Sequence, residues 1–288
     1  MRWLRHPVGG LIAEFAILAI PLNAAYGFAM GIVYRLDAFW GALFAVAAAV
    51  VACNAYNLYA RFVTRRHADE LAPRGIRGLG YGLGLGASLI ALVIAILALA
   101  GSARIGAGGS FALAGLPGVA ILAGAFEELV ARGVVLRNLE NVFGSFAAIA
   151  LSTVLFAALH IGNPNATPLS LSAVGIEGGV MLGAVYLATR SLWWTFGIHA
   201  AWNFTQTGVF GIADSGHPGQ GLLRTELVGP DWLSGGAFGI EASAVSVALC
   251  AVVAAVFLLH AQHRRQFVSP FWKRPTYARH SGESRNPF

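Results

Sequence analysis

Apolar runs of about 20 residues, joined by short loops, dominate this chain. At 1.5 Å per residue a helix of that length crosses the roughly 30 Å hydrocarbon layer of a bilayer. No long polar stretch is available to build a soluble domain. Of 288 residues, 57% are hydrophobic and only 11% are charged, against roughly 25% charged in a typical soluble domain. Backbone groups in lipid must satisfy one another, so the spans are helices. The sequence therefore predicts an all-α, polytopic membrane helix bundle.

About eight spans can be drawn, at 9–34, 39–62, 79–101, 115–137, 143–161, 169–189, 191–212 and 237–260. The first follows Arg2 and Arg5 like a signal peptide, but its apolar stretch reaches Val33, too long for a cleaved leader. Basic residues test the count. With a cytoplasmic N-terminus, Arg2, Arg5, Arg61, Arg65, Arg66, Arg74, Arg77, Arg137, Arg190, Arg264, Arg265, Lys273, Arg274, Arg279 and Arg285 fall inside. Only Arg35, Arg104 and Arg224 fall outside, and Arg132 lies within a span. That bias predicts an N-in, C-in protein of a bacterial-type plasma membrane. It also explains the net charge of +6 without nucleic acid as a partner.

Three parts follow: N-terminal spans at 1–114, a core at 115–212, and at 213–288 an outer loop, a last span and a basic tail. The loop near 213–236, rich in Gly and Pro, reads as an irregular outward flap; the tail should lie at the anionic cytoplasmic surface. Gly80, Gly82, Gly84 and Gly86, and Gly175, Gly179 and Gly183, mark close helix packing. Cys53 and Cys250 lie in apolar runs and read as small buried side chains, not a disulfide. Glu14, Asn23, Asn54 and Asn57 read as interhelical contacts.

One pair of acids sits in an otherwise apolar or small-residue run, Glu127-Glu128-Leu-Val-Ala-Arg132. A charge at the centre of a membrane helix costs roughly 2.5–3.5 kcal/mol on insertion scales, and such residues are usually functional. Glu128 and Arg132 are four apart on one helix face and can pair. Glu127 points about 100° away and is free for chemistry. The fifth span ends in Phe156-Ala-Ala-Leu-His160, where Phe156 reads as packing. The seventh contains His199-Ala-Ala-Trp-Asn203, which puts imidazole and amide on one face. Glu177 either lines the same cavity or bonds another helix.

Two carboxylates, two imidazoles and an amide suit hydrolysis. A carboxylate or imidazole can deprotonate water, and an imidazole and an amide can stabilise an oxyanion. His160, His199 and Glu127 also form a His2Glu set of the kind that holds catalytic Zn2+.

These stretches match EExxxR, FxxxH and HxxxN, in that order on successive spans, over about residues 115–205. So arranged, they resemble the CPBP intramembrane proteases, named for CAAX proteases and bacteriocin-processing enzymes (the Abi family). The resemblance implies an eight-helix endopeptidase, related to type II CAAX prenyl endopeptidases. It implies that Glu127 and His160 activate water while His199 and Asn203 hold the oxyanion. Glu128 and Arg132 complete the implied catalytic set. Both a zinc and a metal-free glutamate mechanism are open. HExxH, GxSG and GxGD are absent from the sequence. The expected substrate is a peptide or membrane-associated protein, apolar or lipidated, reached from the bilayer. The rivals are a proton- or ion-coupled transporter and a non-catalytic immunity or scaffold protein.

Overall fold

The computed structural model describes residues 6–107 and 116–274. Arg2, Arg5, Arg279, Arg285, the beginning of the expected 115–137 span and most of the basic tail lie outside the described residues. Eight long helices are present among the described residues. They are α1 (Pro7–Val33), α2 (Ala38–Thr64), α3 (Arg77–Leu99), α4 (116–143), α5 (Ser145–Leu159), α6 (Pro168–Thr189), α7 (192–209) and α8 (Ala244–His263).

Five segments, Pro7–Val33, Ala38–Thr64, Pro73–Leu99, Pro168–Thr189 and Ala244–His263, are long and apolar enough to cross a membrane. The expected count of eight is reduced to five on that measure for physical reasons. Helix α5 has only 15 residues, α4 carries Glu127, Glu128 and Arg132, and α7 carries His199, Asn203 and Gln206. The last helix starts later than its apolar run. Gly239 has φ +127° and breaks the chain, and the Ser243 side chain caps α8 by accepting from the Val245 N–H at 3.1 Å. A two-stranded antiparallel ladder, β1 (Ala103–Gly106) with β2 (Arg224–Leu227), and an isolated antiparallel bridge between Asp214 and His217 depart from an all-helical plan.

The helices alternate in direction, which gives the bundle two distinct ends. At the first, Arg137 Nη2 and Asn138 Nδ2 both donate to Glu14 Oε2, joining α4 to α1. Arg66, just beyond α2, donates to Glu70 at 2.8 Å. Burial works against a charged Glu70, but Arg66 and Arg137 outweigh it and hold the carboxyl below its usual range. Arg190, after α6, donates to Glu140 on α4 at 2.6 Å, and Ser145 N–H donates to Val268 O at 3.0 Å. At the opposite end lie the β1–β2 ladder, the turn after α5, and a folded loop at 210–243.

Glu14 thus forms the expected contact between helices. Asn54 and Asn57 do not: both are exposed on α2, and Asn54 donates to Val50 O one turn back. Asn23 likewise donates to Ala19 O in its own helix. The glycine stripes divide. Gly82 and Gly86 lie against the α7 backbone, where an added Cβ would come within 2.3 Å of Trp194 O and of Ile198 O respectively. Gly80 and Gly84 face open space. Gly175 and Gly179 face α5, at Thr153 and Ala157, whereas Gly183 lies between Leu136 of α4 and Ile149 of α5. Three apolar clusters result among the described residues: one centred on α1, α2 and α4, one on α3, α6, α7 and α8, and a small one of Phe156, Val174, Phe238 and Ala242. Both free cysteines are at least partly buried.

Candidate active site

Helix α4 departs from regular geometry where its acids lie. Ala123–Glu127 and Leu129–Leu136 carry the i→i+5 bonding of π-helical turns, a wider winding often found at functional sites. Gly124 lets this segment lie against α7, since a Cβ there would sit 2.8 Å from Ala200 N. The acid pair is thereby pressed onto the helix that carries His199.

Glu128 is fully buried and accepts from Arg132 Nη1 at 2.7 Å. The same carboxylate oxygen lies 2.9 Å from His199 Nδ1. An ionised carboxylate only accepts, so Nδ1 carries the proton and the neutral ring leaves Nε2 bare. That Nε2 lies 3.9 Å from Glu127 Oε2. Glu127 is the accessible acid of the pair, with its side chain 24% exposed. Its other oxygen accepts from the Tyr26 hydroxyl of α1 at 2.9 Å, and the Tyr26 ring stacks on Phe126.

His160 closes α5. Its Nδ1 lies 2.8 Å from Phe156 O; a carbonyl only accepts, so this ring too keeps Nε2 bare when neutral. Phe156 has a larger part than the packing expected of it. Its ring lies 5.1 Å from the Arg132 guanidinium carbon and 4.9 Å from the His160 ring. It therefore links the buried cation to the imidazole. Gly178 on α6 makes room for it, since a Cβ there would come within 2.1 Å of the ring.

Glu127, His160, His199 and Asn203 line one cavity of about 560 Å3. Its walls include Tyr26 and Met30 of α1, Val119, Ala123 and Val130 of α4, and Ser152, Leu155 and Leu159 of α5. Asp214, Ser215, His217 and Pro218 contribute from the 210–243 loop. An outward-running α5 would carry His160 away from mid-membrane Glu127. Its 15 residues avoid this by ending the helix beside the cavity.

Behind the two histidines and Asn203 lies a smaller chamber of about 60 Å3, lined also by Glu177, Asp214, Ser215 and Glu241. Glu177 is buried there with Oε1 unpartnered. The loop is pinned over it: Glu241 accepts from Ser215 N–H at 2.6 Å, Ser215 Oγ at 2.7 Å and Gln206 Nε2 at 2.7 Å. The stretch expected as an irregular outward flap also forms a wall of the cavity. Nothing in the residue pattern singles out Tyr26, Ser215 or Glu241: Tyr26 is an aromatic in an apolar span, Ser215 lies in a stretch of no recognisable pattern, and Glu241 falls in an apolar run that reads as helix.

A zinc bound by His160, His199 and Glu127 would need all three side chains to converge on one point. Among the described residues no three His, Cys, Asp or Glu side chains are grouped closely enough to hold a metal ion. The donor set therefore does not fit the ion in this arrangement.

Fold and site together define a helical membrane protein with carboxylate, imidazole and amide groups gathered in one cavity. Residues 109–205 match the family described as "Rce1-like: Type II CAAX prenyl endopeptidase Rce1-like". The match spans the helices that carry all three motifs and supports assignment to the CPBP/CAAX protease family. No curated protein and no solved structure matches the chain.

Proposed function

We propose that this chain is an intramembrane endopeptidase that hydrolyses a peptide bond with a water activated by Glu127 and His160. The observation that carries the reading is the sharing of one cavity by Glu127, His160, His199 and Asn203. Glu127 is the base: it is the accessible acid, and Tyr26 holds its rotamer. It takes a proton from water while His160 Nε2 accepts the second O–H and orients the oxygen. The carbonyl oxygen becomes an oxyanion as the water oxygen bonds to carbon. Asn203 donates its amide N–H to it. With Nδ1 committed to Glu128, His199 donates only when Nε2 is also protonated, and the carboxylates on both sides of the ring are suitable counter-charges. Protonated Glu127 then gives its proton to the leaving nitrogen, the C–N bond breaks, and acid and amine products result.

Glu128 and Arg132 are positioning residues: they hold His199 and do not touch substrate. The apolar walls between α1 and α5 suit an apolar or lipidated segment of a membrane-associated peptide. The test uses the purified full chain in detergent with an internally quenched peptide library. Glu127→Gln, His160→Ala and His199→Ala should each abolish cleavage, whereas a distant Asn54→Ala should not. Full turnover by Glu127→Gln would remove the assignment. Proton flux lost in that variant, with no cleavage by the native chain, would replace the peptidase with a transporter. Elemental analysis of active protein decides the zinc question; full activity is expected without stoichiometric metal.

A further inference from the structure

The position of the cavity between the two ends of the bundle has a consequence for the substrate. One end is basic. Arg61, Arg65, Arg77, Arg264, Arg265 and Lys273 are exposed there, in the last turn of α2, beyond the ends of α2 and α8, and at the start of α3. The opposite end exposes only Arg35, Arg104 and Arg224 among the described basic residues. Short loops rich in Lys and Arg stay on the cytoplasmic side. The basic end is therefore cytoplasmic.

The cavity belongs to the other end. Its exposed rim is formed by Tyr34 at the end of α1, Leu159 at the end of α5, and His217 and Pro218 of the 210–243 loop. No residue beyond the basic-end termini of the helices lines it. Between its floor and the basic end lies the buried network of Glu14, Arg137, Asn138, Tyr56, Glu70 and Arg66. That layer is held together by ion pairs.

We infer that the scissile bond is presented from the non-cytoplasmic side: the substrate is a membrane-anchored polypeptide cut on its outward flank, not a cytoplasmic tail. The inference rests on the peptidase reading of this cavity and adds the side from which it is served. It also separates this chain from the substrate that the matched family's description names. A prenylated C-terminal tail is anchored at the cytoplasmic face, across the ion-pair layer from Glu127.

The test needs two readouts. Single cysteines are placed at His217→Cys (cavity rim) and Arg265→Cys (basic end) in a Cys53→Ala, Cys250→Ala background. They are probed with a membrane-impermeant maleimide in right-side-out spheroplasts and in inverted vesicles. The His217→Cys chain should label in spheroplasts and the Arg265→Cys chain in inverted vesicles. Native chain in the same two preparations is then given internally quenched peptides bearing an N-terminal palmitoyl anchor, added to the outer face of each. Cleavage should be at least about tenfold faster in spheroplasts, because polar peptide bonds cross hydrocarbon poorly. Cleavage in detergent but only in inverted vesicles, or reversed labelling, would overturn the inference and leave the peptidase intact. Absence of cleavage in detergent as well would remove the peptidase reading and this inference together, whatever the labelling.

Discussion

His199 Nδ1 and Arg132 Nη1 meet on a single carboxylate oxygen of Glu128, at 2.9 and 2.7 Å. A fully buried anion shared between an imidazole and a guanidinium is a positioning device, and it divides the adjacent acids into two roles. Glu128→Gln should therefore lower kcat by about 10²–10⁴-fold, the range lost when an acid–base group is mispositioned. It should also destabilise the fold by about 3–5 kcal/mol, because Arg132 is left as an unpaired buried charge. Glu127→Gln should abolish turnover with little change in stability, since that side chain is partly exposed and keeps its Tyr26 contact. Peptide turnover and thermal unfolding in detergent separate the two. Equal destabilisation by both substitutions would contradict the division.

Tyr26 contributes from outside the three motifs. Its hydroxyl fixes one oxygen of Glu127 and leaves the other turned toward His199. Tyr26→Phe keeps the stacking on Phe126 and removes only the donor. A hydrogen bond to a charged group contributes about 1.5–3 kcal/mol, so kcat/KM should fall by about 10–100-fold. The loss should lie in kcat, with KM nearly unchanged, because the base and not the peptide is released. A change confined to KM would make Tyr26 part of the substrate wall instead.

The 210–243 loop should respond to pH. Burial, and Glu241 beside it, push the Asp214 carboxyl well above the usual carboxylate range. Burial pushes Glu241 upward too, against opposing hydrogen bonds from Ser215 and Gln206. An acid whose pKa is raised in the folded state resists ionisation there. Its contribution to stability is full below the unfolded carboxylate value, about pH 4, and is lost as pH rises toward the raised value. The loop should thus be best protected in acid and loosen toward alkaline pH. Hydrogen exchange of amides 213–217, corrected for intrinsic rates, measures this. Asp214→Asn should flatten the dependence, and an unchanged profile in that variant would refute the account.

Much of this was legible in the chain, for reasons that particular residues make plain. Apolar length located the helices, and the four-residue spacing of Glu128 and Arg132 foretold their ion pair because such spacing stacks side chains on one face. Spacing is local information. It could not show that Tyr26, 101 positions away, donates to Glu127, since that contact depends on how α1 lies against α4. Nor could it show the 210–243 loop folding back over the cavity. Glu241 lay within an apolar run extending from 237, and hydropathy alone drew that run as helix until Gly239 interrupted it. Asn54 failed in the opposite way: a polar residue in a span suggests a partner helix, yet it satisfies itself on Val50 O.

The α3–α7 seam offers a test with its own control. Gly86 faces Ile198, the residue before His199, and a methyl group there would lie 2.3 Å from the Ile198 carbonyl oxygen. Backbone cannot yield locally, so Gly86→Ala must push α7 outward and carry His199 with it. A displacement near 1 Å can cost about 10²-fold in rate, and kcat should fall by about that factor. Gly84 is two positions away in the same helix with nothing within 4 Å. Gly84→Ala should leave turnover intact and raise stability by about 0.5–1 kcal/mol, the ordinary gain from replacing a helical glycine. Measuring turnover and unfolding for both decides the point. Matching losses would mean that general helix strain, not the seam, sets the position of His199; a loss confined to Gly86→Ala ties the imidazole to the contact between these two backbones.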